Sequence, residues 1–87
     1  MSDDLIQRVL ISIATSKRIP LETVTIDSDF EQLNIDSMDA VVILFALENE
    51  FDIVIPDDEV RSVRNVRQMC EGVEKLVAAK AAGAQKP

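Results

Sequence analysis

Asp36-Ser37-Met38-Asp39-Ala40-Val41-Val42-Ile43-Leu44-Phe45-Ala46-Leu47-Glu48-Asn49-Glu50-Phe51-Asp52 is the stretch on which the reading of this chain turns. It holds no Gly, no Pro and no strict alternation, so it predicts a helix that starts at Asp36-Ser37 and ends near Phe51. Asp36 and Ser37 are both residue types that cap helix N-termini. On a wheel turned by about 100° per residue, Ala40, Ile43, Leu44, Leu47 and Phe51 gather on one side. Met38, Val41, Val42 and Phe45 gather on the other. A helix apolar on both sides is either wholly buried or packs with one face and binds something with the other. Asp39, Glu48, Asn49, Glu50 and Asp52 argue against whole burial in a small domain. The first set is therefore expected in the core and the second on a partly exposed docking face.

Helical period extends to both sides. Upstream, a helix is predicted over residues 3–16, capped by Ser2, with Asp3 and Asp4 in its first turn, where the helix dipole favours acids. Leu5, Ile6, Val9, Leu10 and Ile13 form its apolar stripe. Lys17 and Arg18 complement its C-terminal end, and Ile19-Pro20 stops it. Residues 17–36 form a long connection anchored by Leu21, Val24, Ile26, Phe30, Leu33 and Ile35, with short turns expected at 20–24 and 29–33. Downstream, Ile53-Val54-Ile55 is too short to form a sheet by itself, and Pro56-Asp57-Asp58-Glu59 opens a short third helix ending near Val63. Asn65 caps a fourth helix over residues 66–82, with Val66, Met69, Cys70, Val73 and Val77 on one face, Leu76 beside them and Gln68, Glu71 and Lys75 opposite. Gly83 ends it. The expected fold is all-α: an antiparallel four-helix bundle with three long helices, one short one and a long first loop.

Composition excludes much. The 87 residues suit one domain, with residues 1–82 folded and 83–87 a flexible tail. There is no His and a single Cys, so neither a Ser-His-Asp nor a Cys-His site can be built, nor a four-ligand structural zinc site, nor an internal disulfide. No apolar run approaches the roughly 20 residues of a membrane span. The N-terminus is acidic where a signal peptide is basic, so a cytoplasmic monomer is expected. The net charge of −7 disfavours nucleic acid and anionic lipid and points to basic protein surfaces. From Asp36 to Glu59 there are eight acids and no Lys or Arg, which concentrates that charge around the decisive helix.

Two local features have ordinary explanations. Asp27-Ser28-Asp29 begins like a calcium loop, but Gln32 stands where Gly is required and Met38 where Glu is required. Cys70 lies on the core face of its helix and reads as a small buried hydrophobe.

Ser37 stands where the long connection enters the helix, at the positive end of its dipole, a place that suits a phosphate diester. Asp36-Ser37-Met38-Asp39, then Phe45-Ala46-Leu47-Glu48-Asn49-Glu50-Phe51-Asp52, then Ile55-Pro56-Asp57-Asp58-Glu59, closely resembles the acyl carrier protein family. The tripeptide around the serine is weakly specific by itself; the serine, the helix and the Ile-Pro-Asp turn in register are strongly so. The resemblance runs over essentially the whole chain. It implies that Ser37 is the attachment site for 4′-phosphopantetheine. A separate phosphopantetheinyl transferase would deliver it from coenzyme A with Mg²⁺ held by that enzyme, the hydroxyl attacking the pyrophosphate and 3′,5′-adenosine bisphosphate leaving. The chain would then be a shuttle and not a catalyst, holding no metal itself and presenting acyl thioesters to loading, condensing and acyltransferase enzymes of fatty acid, polyketide or related lipid biosynthesis. Tethering raises the effective concentration of cargo at each partner.

By the same resemblance Asp36 and Asp39 would meet basic residues on partners. Met38, Val41 and Phe45 would make apolar contacts, joined on the helix wheel by Val42, and Glu48 and Asp57 would complete an acidic rim beside Ile55 and Val60. Such a rim sets approach rate and orientation, giving weak, salt-sensitive complexes. The chain departs from the family pattern in five places. Asn34-Ile35 stands where a Gly is usual, Met38 replaces Leu, Val42 and Asn49 stand where acids are common, and Arg61 brings positive charge to the third helix. These departures make a more apolar docking face and suggest a specialised carrier with its own partners. A non-covalent helical adaptor using the same face is the main rival from another class, and a carrier of an amino acid such as D-alanine is the alternative within the family. A stand-alone enzyme ranks third.

Overall fold

The computed structural model describes residues 2–83. Four α-helices and one 3₁₀ turn follow in order: α1 (Asp3–Lys17), the 3₁₀ turn (Leu21–Thr23), α2 (Ser37–Phe51), α3 (Asp57–Ser62) and α4 (Val66–Ala81). The expected tail falls mostly on residues 84–87, outside those described. Ion pairs reveal the packing directions. Arg8 meets Glu50 and Lys17 meets Asp39, so α1 runs against α2. Lys80 meets Asp52, which brings the C-terminal ends of α2 and α4 together. The segment carrying α3 spans the distance back between them.

The caps are those the sequence predicts. The Ser2 hydroxyl accepts from the Leu5 amide, and the Asn65 side chain accepts from that of Gln68. The end of α1 differs from expectation. Arg18 itself takes the left-handed conformation at φ 59°, and its amide and that of Ile19 return to the carbonyls of the last turn. The helix therefore stops one residue before Ile19-Pro20 takes effect. Gly83, at φ 76°, donates its amide to Lys80 and closes α4.

The core joins α1, α2 and α4. Val9 and Ile13 from α1, Ile43 and Leu47 from α2, and Val66 and Cys70 from α4 are almost wholly buried. Burying each such side chain is worth about 1.5–3 kcal/mol, the main favourable contribution to the fold. Val24 is buried, and Phe30, Leu33 and Ile35 pack against the cluster. Leu21 does not: it stays exposed, in a shallow surface hollow beside Ile11, Thr15 and Ile19. The connection is also held by backbone. Phe30 donates to the Arg64 carbonyl and Val66 to the Ser28 carbonyl, a single antiparallel bridge that ties the loop to the start of α4. Asp27 pairs with Arg67 beside it.

Candidate functional site

The site is the N-terminal end of α2. Asn34 turns the chain toward it at φ 56°. This is the position where the resemblance led one to expect Gly, and Asn is the residue that best tolerates the left-handed region after Gly. Asp36 follows in extended conformation and is the N-cap. Its Oδ1 accepts from the Asp39 amide at 2.8 Å, while Asp39 Oδ2 accepts from the Asp36 amide at 3.3 Å. This reciprocal capping box settles which of the two candidates caps the helix: Asp36 does, and Ser37 is the first helical residue.

The consequence is chemical. A helix start leaves about four amides without intrahelical partners. The box satisfies those of Asp36 and Asp39. Those of Ser37 and Met38 remain at the open, positive end, next to an exposed serine hydroxyl that no hydrogen bond holds among the described residues. An exposed alcohol beside two uncommitted amides fits the oxygen of a phosphodiester.

Below the serine, Met38, Val41, Val42 and Phe45 form an exposed apolar stripe, with Met38 79% and Phe45 59% accessible. Asp36 and Asp57 are exposed. Asp39 and Glu48 are placed differently from a free rim. The Asp39 carboxylate lies 2.7 Å from Lys17 Nζ. That ammonium, and then the Asp36 amide, hold its carboxyl below the ordinary 3.8. Glu48 Oε2 accepts from the Ile55 amide at 2.9 Å, fastening the loop after α2. Ile55 and Val60 are half-buried and line a cavity of about 30 Å³ between α2, α3 and α4, together with Leu44, Val63 and Leu76. That is space for about one water, so an acyl chain needs the wall to open. The wall of α3 is short, without a buried residue and without a side-chain cap.

Three participants escaped the sequence. Lys17 reads as a charge complementing its own helix end, and a partner 22 residues away leaves no local mark. Gly72 lies against Glu59, where an added Cβ would sit 3.8 Å from the carboxylate; a lone Gly inside a helical pattern was the available signal. Arg8 packs 4.3 Å over the Phe51 ring while bonding Glu50. Cys70 is buried, and desolvation pushes its thiol up to about 11, so it is inert at neutral pH.

Residues 7–73 match the family described as "Phosphopantetheine attachment site". The chain is 32% identical to an acyl carrier protein of Thermosynechococcus vestitus over 87% of this chain and 95% of that one. It is 36% identical to an acyl carrier protein of Treponema denticola over 83% and 94% of the two. A third, from Akkermansia muciniphila, is 35% identical over 87% and 98%. The chain belongs to the acyl carrier protein family. Acyl carrier proteins carry covalently attached 4′-phosphopantetheine and are carriers, not enzymes. They work with a phosphopantetheinyl transferase and with biosynthetic enzymes that use the loaded group. Among the described residues no helix is long and apolar enough to cross a membrane.

Proposed function

We propose that Ser37 is the residue to which 4′-phosphopantetheine is joined, and that this carrier serves cytoplasmic fatty acid, polyketide or related lipid biosynthesis. The observation that carries the reading is the capping box, which takes Asp36 and Asp39 out of contention and leaves the Ser37 hydroxyl and the amides of Ser37 and Met38 at the mouth of α2. The box fixes the backbone at the helix mouth from which the Ser37 side chain projects. The helix end favours the negative diester oxygens. The group's terminal thiol, when bound, holds an acyl chain as a thioester. No His exists in the chain to activate Ser37, so base and metal come from the transferase. Acyl-loading, condensing and acyltransferase enzymes would dock on the Met38, Val41, Val42 and Phe45 stripe, with Asp36 and Asp57 at its margins.

Incubation with coenzyme A, Mg²⁺ and a broad-specificity transferase is expected to add one phosphopantetheine to the intact protein, read by mass spectrometry. Ser37→Ala is expected to abolish the addition while leaving the helical fold intact. Addition to the Ser37→Ala variant, or none to the wild type with any transferase, overturns the reading and favours a non-covalent adaptor.

A further inference from the structure

The acids of α2 are spoken for. Asp36 caps the Asp39 amide, Asp39 pairs with Lys17 and Glu48 bonds the Ile55 amide. Glu50 pairs with Arg8 at 2.7 Å, and Asp52 with Lys80 at 2.7 Å. Every carboxylate from Asp36 to Asp52 thus has a partner inside the molecule, and three of them face a cation. Within the α2 helix itself, the acid next to the serine's turn that points back to the bundle, Asp39, is neutralised by Lys17, while Asp36 keeps its charge at the helix mouth. Beside the exposed Asp36, what α2 turns outward is a run of apolar side chains: Met38, Val41, Val42 and Phe45.

We propose that Lys17 is a specificity-determining residue of this carrier: by holding Asp39 it turns away partners that present a base there and leaves the α2 stripe to partners with an apolar cleft. The proposal builds on the reading of α2 as the docking helix beside Ser37. Asp39 lies two residues from that serine, inside the footprint of any enzyme that reaches it. A partner Arg or Lys aimed at Asp39 must displace Lys17 and meets the repulsion of its ammonium on approach. A partner whose cleft is apolar loses nothing. Steering by a charged rim acts through the field around the site, and an internal cation at 2.7 Å weakens the field that this carboxylate projects. Lys17 comes from α1, so this selectivity is set by a residue outside the docking helix.

The test measures binding of the unmodified carrier to a phosphopantetheinyl transferase with a basic docking patch, by fluorescence titration across about 50–500 mM salt. Lys17→Met is expected to tighten Kd about five-fold at the low-salt end and to steepen its salt dependence, because Asp39 is released. Lys17→Arg, which keeps the pair, is expected to match the wild type. Lys17→Met with Asp39→Asn is expected to lose the gain. Lys75→Met makes the same change in net charge on the outer face of α4 and is expected to move Kd by less than about 1.5-fold. Lys17→Gln replaces Lys17→Met if thermal melting shows the latter to be poorly folded. The proposal is overturned by an unchanged Kd and slope in Lys17→Met, by a gain that survives Asp39→Asn, or by an equal gain in Lys75→Met. Binding is read without loading, so failure of Ser37 to accept phosphopantetheine shows separately, as a missing mass increment.

Discussion

The two faces of α2 are built from the same kinds of side chain and meet opposite fates. Ile43 and Leu47 are 0% and 1% exposed, whereas Val42, next to Ile43 in the chain, is 51% exposed and Phe45, between the two buried residues, is 59% exposed. Hydrophobicity does not separate them. Opposing surface does: α1 and α4 supply Val9, Ile13, Val66 and Cys70 to one face, while the other faces outward. Each apolar side chain left outside forgoes roughly 1.5–3 kcal/mol that burial would supply. Exposed apolar side chains gathered on one helix face are what a docking surface requires. One face of α2 therefore carries stability, the other is the proposed docking face, and substitutions should separate the two.

The largest effect is expected on the buried face. Ile43→Ala removes a side chain with no exposed surface and leaves a cavity, for a loss of about 2–5 kcal/mol. That is a large share of the roughly 5–15 kcal/mol that holds a domain folded. Val42→Ala, one residue away, is expected to change stability by less than about 0.5 kcal/mol. Urea denaturation followed by circular dichroism checks both, and comparable losses at the two positions would erase the distinction between the faces.

This division was legible in the sequence because a helix projects its residues in a fixed order, and the wheel alone separates Ile43 and Leu47 from Val42 and Phe45. The caps were legible for a similar reason: Ser2, Asp36 and Asn65 act within three residues of themselves. Even the choice of Asp36 over Ser37 had a local signature in the acid three positions on, Asp39. What stayed hidden is long-range. The bridge between residues 29 and 65 joins two segments without periodicity. Leu21 looks like a core anchor, yet it lies at the surface beside α1. The pairing of Lys17 with Asp39 depends on how α1 and α2 pack, and it changes the meaning of an acid that the sequence places on a free rim.

On the exposed face the expected pattern reverses. Phe45→Ala is expected to leave stability within about 0.5 kcal/mol, since the ring is mostly in solvent. Its removal from the centre of a docked interface is expected to weaken partner binding about ten-fold, the range in which buried aromatic anchors act. Titration against the transferase, paired with a melting curve, tests this. A variant that melts early and binds normally would place Phe45 with Ile43 rather than with Met38.

The smallest effect lies where the two functions of α2 meet, at Asp39. Lys17 and the Asp36 amide hold its carboxyl below the ordinary 3.8 in the folded chain. The folded state thus binds its proton less readily than the unfolded state, so the pair contributes stability above the unfolded value. That contribution is lost as pH falls through the lower folded value. Because the pair sits at the surface, solvent screening keeps the change modest. Lys17→Met is expected to move the Asp39 titration, followed by carboxyl-carbon NMR, back toward higher pH. It is also expected to start acid unfolding at a slightly higher pH than in the wild type. An Asp39 titration that does not move would mean that the Asp36 amide alone holds the carboxylate, and that α1 exerts no electrostatic hold on the helix that presents Ser37.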